Sequence, residues 1–257
     1  MNVITWLAAI LLLLMVLIGG KKGVRSFFSL FLNFGVLFIT MFFMLSPTVN
    51  PILITFIASI LIGCINLFFI NQVNRKTVTA FISTMVTIII LLFFIVIVSE
   101  ALMIQGFGEE ETEAISGFSL YIGIDFMKIG VSVIIMSTIG AVMDVAISIA
   151  SSMHEMIRHN PSITKKELFA SGVRIGRDIL GTDTNTLFFA FFGGYLALLI
   201  WFKDLSYSFS DIVNSKIFSS ELVLILCAGI GIALVIPITA WINVYDLFRK
   251  RKTKEQK

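Results

Sequence analysis

Charge is what this chain has least of. Asp, Glu, Lys and Arg make up 14% of its 257 residues, where water-soluble domains carry about 25%. Proline is nearly missing, with 4 residues, and cysteine and histidine number 2 each. So little charge excludes an ordinary soluble globule, and it excludes a disordered segment, which would need low hydrophobicity. Cys64 and Cys227 both sit inside apolar runs; they provide no disulfide framework and read as small buried hydrophobes. His154 and His159 stand five apart, off the i,i+4 register that puts two ligands on one helix face, and no zinc-type spacing of Cys and His occurs elsewhere. No Gly-rich phosphate loop with its Lys is present. No metal or other cofactor is expected.

What is abundant is hydrophobe: 58% of the chain, with 25 Phe. A helix needs about 20 apolar residues to cross the hydrocarbon of a bilayer. Seven stretches qualify or come close: residues 3–19, 27–45, 52–70, 80–98, 129–150, 184–202 and 222–242. They are too long for strands and lack the alternation of a membrane barrel. The expected fold is all-α, a polytopic membrane helix bundle forming a single integral membrane domain over residues 1–257. The first stretch lacks a basic leader region and a sensible cleavage site, so it reads as a span and not as a signal peptide.

Positive charge orients the spans. With the N-terminus outside, 16 of the 19 Lys and Arg fall on the inner side, and Lys128, Lys203 and Lys216 fall outside. That asymmetry predicts seven spans, N-out and C-in, in a cell membrane. The outer loop 99–119 collects the acidic cluster Glu109 to Glu113. The basic tail 249–257 reads as a topology anchor on anionic lipid and not as a nucleic-acid patch. The inner connection 151–181 is broken at Asn160-Pro161, and Thr164-Lys-Lys-Glu167 is a capping box opening a further helix. Apolar Leu168, Phe169, Val173 and Ile175 alternate there with Lys165, Lys166, Arg174 and Arg177. This is an amphipathic cytoplasmic helix between spans five and six, suited to the headgroups or to docking a partner.

Span five departs from mere apolarity. Ser137, Gly140, Asp144, Ser148, Ser151 and Glu155 are spaced 3, 4, 4, 3 and 4 apart, which places all six on one narrow helix face. An aspartate within hydrocarbon costs about 3 kcal/mol unless it faces protein, water or a cation. Such a stripe suits an ion or proton path, and it equally suits close packing with an interhelical hydrogen bond. Span six has a polar entrance, Gly176-Arg177-Asp178 to Thr182-Asp183-Thr184-Asn185-Thr186. Adjacent Arg177 and Asp178 point about 100° apart, so Asp144 is the natural partner for Arg177. Gly181 would permit an interrupted backbone. Thr182, Thr186, Ala190, Gly193 and Ala197 form a small-residue face. In span seven Pro237 predicts a kink. Beyond it Thr239, Asn243 and Asp246 share a face, placed against the span five stripe.

Gly140-Ala-Val-Met-Asp144-Val-Ala-Ile-Ser148-Ile-Ala-Ser151-Ser152, followed by Gly176-Arg177-Asp178-Ile179-Leu180-Gly181-Thr182-Asp183-Thr184-Asn185-Thr186-Leu187, resembles the YibE/F family of bacterial multi-pass membrane proteins. The match places Asp144, Ser148, Arg177, Asp178, Gly181, Thr184 and Asn185 on the family signature. Asp183 stands where the family carries an apolar residue, often Met. The resemblance implies the shorter, YibF-like member of a pair, and so a hetero-oligomer with a longer YibE-like homologue in the bacterial cytoplasmic membrane. It implies no established reaction.

Three functions compete. The first is a permease or transport-complex subunit with a polar path between spans five to seven. Its pathway residues would be Asp144, Ser148, Ser137, Arg177, Asp178, Thr184 and Asn185; Gly140, Gly181, Gly193 and Pro237 would serve helix packing or hinges, and any ATPase would be a separate chain. The second is a structural or assembly partner using the same residues as interhelical glue. The third, an intramembrane enzyme built on Asp144 and Asp178, lacks a supporting motif, so no enzymatic activity is expected.

Overall fold

The computed structural model describes residues 2–102, 106 and 123–255, with side chains as far as Arg249. The acidic cluster Glu109 to Glu113 lies outside the described residues, as do most of its loop and the last two residues of the tail.

All regular elements among the described residues are helical. They are α1 (Val3–Met44), α2 (Pro51–Gly63, continued by a π-helical stretch, Cys64–Phe69), α3 (Arg75–Leu102), α4 (Phe126–His159), α5 (Lys165–Gly194), α6 (Leu196–Asp204), α7 (Phe209–Asn214) and α8 (Lys216–Glu255). Five of them, α1, extended α2, α3, α4 and α8, are long and apolar enough to cross a membrane. The pair α5–α6, bent by 53°, makes a sixth if counted as one span.

The predicted stretches 3–19 and 27–45 both lie in α1, whose backbone leaves helical geometry at Gly20 with φ 53° and ψ −134°. A side chain there would be strained. A Cβ on Gly23 would overlap the Met15 carbonyl, whereas residues eight apart along a straight helix are about 12 Å distant. The chain therefore doubles back, and α1 is a hairpin of two arms. Seven crossings require both arms of α1 to be counted and the bent pair to count as one span.

Local chemistry sets the other boundaries. Asn50 caps α2 by accepting from the Ile52 amide at 3.0 Å, with Pro51 in the first turn. Asp125 caps α4. The capping box at Thr164 forms in both directions: its backbone amide donates to the Glu167 carboxylate at 2.9 Å, and the Glu167 amide donates to Thr164 Oγ1 at 3.3 Å. From there α5 runs unbroken to Gly194, so the amphipathic stretch is not a separate surface helix. It forms the first turns of the bent α5–α6 pair, and its buried residues Leu168, Gly172 and Gly176 face the bundle. Pro237 sits inside α8, which remains helical on both sides.

The core lies where α4 meets α3 and α8, around Ile88, Leu91, Ile135, Ile139, Met143, Ile149 and Ile232. Helices in lipid gain little from hydrophobic contact with each other and associate through close packing and polar bonds. Both are present. A Cβ on Gly231 would sit 3.0 Å from Thr138 and Val142, and one on Gly172 would sit 2.6 Å from Met153 Sδ. Thr79 of α3 donates to Asn243 Oδ1 of α8 at 2.9 Å, while buried Ser83, Thr84 and Thr87 satisfy their hydroxyls on carbonyls of their own helix.

Candidate functional site on α4 and α5

The face singled out in span five is present, and it points outward. Val142, Met143, Val145 and Ala146 are buried, whereas Ser137, Asp144, Ser148 and Glu155 are exposed and Gly140 and Ser151 half-buried. The helical period that buries the first set of side chains turns the second away from α3 and α8. Asp144 stands near mid-helix, about 27 Å from the start of α4 and about 22 Å from its end at 1.5 Å per residue. Ser148 donates its hydroxyl to the Asp144 carbonyl at 2.7 Å, which leaves the carboxylate unshared.

Helix α5 also carries exposed polar residues. Arg177, Asp178, Gly181, Thr182, Asn185 and Thr186 are exposed, and Asp183 and Thr184 half-buried. Thr184 turns toward α8: its methyl lies 3.6 Å from where a Gly229 Cβ would be, and its hydroxyl donates to the Leu180 carbonyl at 2.7 Å. The carboxylate within electrostatic range of Asp144 is that of Asp183. Among the described residues Arg177 forms no ion pair with Asp144. The reason is rotational. Six residues separate Arg177 from Asp183, or about 240° around a helix, so the turn that brings Asp183 toward Asp144 carries Arg177 away.

The glycines expected to mediate packing are open within the chain. A Cβ on Gly140, Gly181 or Gly193 would meet nothing within 4 Å. Close approaches occur instead at Gly172, Gly176 and Gly231, and at Gly176 an added Cβ would overlap the Ile236 side chain. The small-residue row Thr182, Thr186, Ala190, Gly193 and Ala197 is exposed throughout.

The polar face of α8 meets α3 and not the Asp144 stripe. Thr79 donates to Asn243 Oδ1 at 2.9 Å, Asn243 donates to the Thr239 carbonyl at 2.9 Å, and Arg75 lies 3.6 Å from Asp246. This cluster closes the bundle at the end where α3 begins. Another polar contact leaves no mark in the residue pattern: Asn33 of α1 donates to Asn66 Oδ1 at 2.7 Å, in the π-helical stretch after α2. Sequence pattern alone gives little warning of a π-helical turn. At the bend between α5 and α6, Tyr195 donates its hydroxyl to Glu221 at 2.8 Å.

No group of three or more His, Cys, Asp or Glu among the described residues could hold a metal ion. Both cysteines are free.

An all-helical bundle with this many apolar helices, and a polar face at mid-helix depth, defines a multi-pass membrane protein. The YibE/F-like protein family matches residues 7–248, nearly the whole chain, and the chain belongs to that family. No curated protein and no solved structure matches it.

Proposed function

We propose that this chain is a non-enzymatic subunit of a transport complex in the bacterial cytoplasmic membrane, with its polar path on the outer face of α4 and α5. The path is completed by a partner chain, a longer YibE-like homologue. One observation carries this reading: Asp144 is exposed in the single chain at a depth where lipid would otherwise touch it. A carboxylate facing hydrocarbon costs about 3 kcal/mol or more, so such residues face protein or a water-filled path. The excess of Lys and Arg on one side of the spans supports N-out and C-in within that assembly.

The second reading, a purely structural partner, is favoured by the open small-residue row on α5 and α6, which permits close helix approach without any ligand. Asp144→Asn separates the two. It keeps size and hydrogen bonding and removes the charge. On the transport reading it abolishes the functional phenotype while co-purification of the longer partner is retained. A fully active Asp144→Asn chain would leave the structural reading standing and remove the path.

A further inference from the structure

The α1 hairpin has a consequence at the end of the bundle where α3 begins, beside the Ser151 end of the α4 stripe. Reversal at Gly20 brings Lys21, Lys22 and Arg25 against the segment that links α2 to α3 and against Lys76 in the first turn of α3. Together they line a cleft of about 450 Å³. Its far wall is Ile147 and Ser151 of α4. No carboxylate lines it, and among the described residues none of the four cations forms an ion pair. Neighbouring Arg75, by contrast, pairs with Asp246 and does not line the cleft.

The wall is held in place. The Asn74 amide donates to Thr77 Oγ1 at 2.9 Å and the Thr77 amide donates to Asn74 Oδ1 at 3.0 Å, so the start of α3 is capped on both sides. Arg25 and Lys76 are half-buried, which weakens solvent screening of their charge. The N-terminal end of α3 adds the positive end of its dipole. Four unneutralised cations held in one cleft repel each other, and an anion bound among them removes that repulsion. Amide and hydroxyl groups from Asn74, Thr77 and Ser151 supply polar contacts around the charge.

We propose that this cleft binds the phosphate group of an anionic phosphate ester. Two sources share that chemistry. A phospholipid would place its headgroup among the cations with its chains along apolar Ile70 and Ile147; a soluble phosphate would occupy the polar part alone. Phosphate binding by cation clusters between membrane helices has this form in general, and the inference stands independently of any transport role.

The test uses the full chain, purified in detergent and stripped of lipid. Binding of dioleoyl phosphatidylglycerol, dioleoyl phosphatidylcholine and inorganic phosphate is read by native mass spectrometry and by thermal shift. The expected result is one phosphatidylglycerol per chain, with phosphatidylcholine much weaker. Lys21→Gln with Lys22→Gln, both exposed and scored only on chain recovered folded in detergent, should weaken it about 25-fold, at about five-fold per cation. Lys165→Gln with Lys166→Gln removes equal charge elsewhere and should leave affinity unchanged. Arg25→Lys with Lys76→Arg keeps the charge and should retain binding. Phosphatidylglycerol binding that survives millimolar phosphate identifies the lipid as the source; displacement by phosphate identifies the soluble ester, and either supports the site. Equal binding of both lipids with no effect of phosphate overturns it. So does an equal loss in the two lysine double variants.

Discussion

The two sides of α4 obey different rules. On one, Ile135, Ile139, Met143 and Ile149 are completely enclosed by α3 and α8, and glycines on α5 and α8 bring backbones close. On the other, Asp144 and Ser148 stand exposed, and Gly140 has nothing within 4 Å. The same vocabulary of small and polar residues is therefore used twice, once to assemble the chain on itself and once on a surface that the chain leaves open. Only the first use is complete within one polypeptide. In lipid this distinction matters more than in water, because an open polar face has no solvent to satisfy it.

The sharpest way to break that contrast is a pair of glycine substitutions on one helix. Gly176→Val drives a side chain into Ile236; overpacking of this kind costs about 1–3 kcal/mol, occasionally more. The yield of folded monodisperse protein in detergent should fall steeply. Gly181→Val, five residues on and facing open space, should leave the isolated chain unchanged and lose only partner co-purification. Equal yields for the two variants would mean that α5 does not pack as described.

A smaller effect is expected at the join of α3 and α8. Thr79→Val removes the donor to Asn243 Oδ1, and Asn243 is fully buried. Interhelical hydrogen bonds in membrane proteins average about 0.6 kcal/mol, with a maximum near about 1.7. The midpoint of unfolding in mixed micelles should drop accordingly. Ser148→Ala, on the open face, takes away a hydroxyl that bonds only to its own helix and should not move the midpoint. A larger loss for Ser148→Ala than for Thr79→Val would reverse the assignment of inner and outer faces.

Much of this arrangement is legible in the residues. Apolar runs locate the helices, the Thr164 to Glu167 box marks the start of α5, and the 3-4 spacing gathers Asp144 and Ser148 on one face. Periodicity cannot say whether a shared face points inward or outward, since that depends on which neighbours bury the rest of the helix. For that reason the expected pairing of Arg177 with Asp144 is not formed, and Gly140, Gly181 and Gly193 make no close approach within the chain. The reversal at Gly20 was equally hidden: Gly19-Gly20 signals a turn, but not that Gly23 would return to Met15 and carry three cations to Lys76. The Asn33–Asn66 pair joins residues 33 apart, and no local pattern reports such a contact.

The smallest expected effect lies outside the spans, at α7, and tests whether local capping matters where the bundle gives little support. Ser208 donates both its amide, at 2.9 Å, and its hydroxyl, at 2.6 Å, to the Asp211 carboxylate, and the Asp211 amide donates back to Ser208 Oγ at 3.2 Å. The hydroxyl bond, then the amide bond, holds the Asp211 carboxyl below its ordinary value of 3.8. The ionised form is thus the one the fold favours. Its contribution is complete above the ordinary carboxylate value and disappears as pH falls through the lower value reached in the folded protein. Amide hydrogen exchange across 209–214, corrected for the intrinsic rate at each pH, should show constant protection from pH 7 to about 4, and declining protection below. Asp211→Asn should remove that acid dependence while leaving the Thr79 and Asn243 readouts untouched. An acid-dependent loss that persists in Asp211→Asn would assign the titration to another group and leave the box without a role in holding α7.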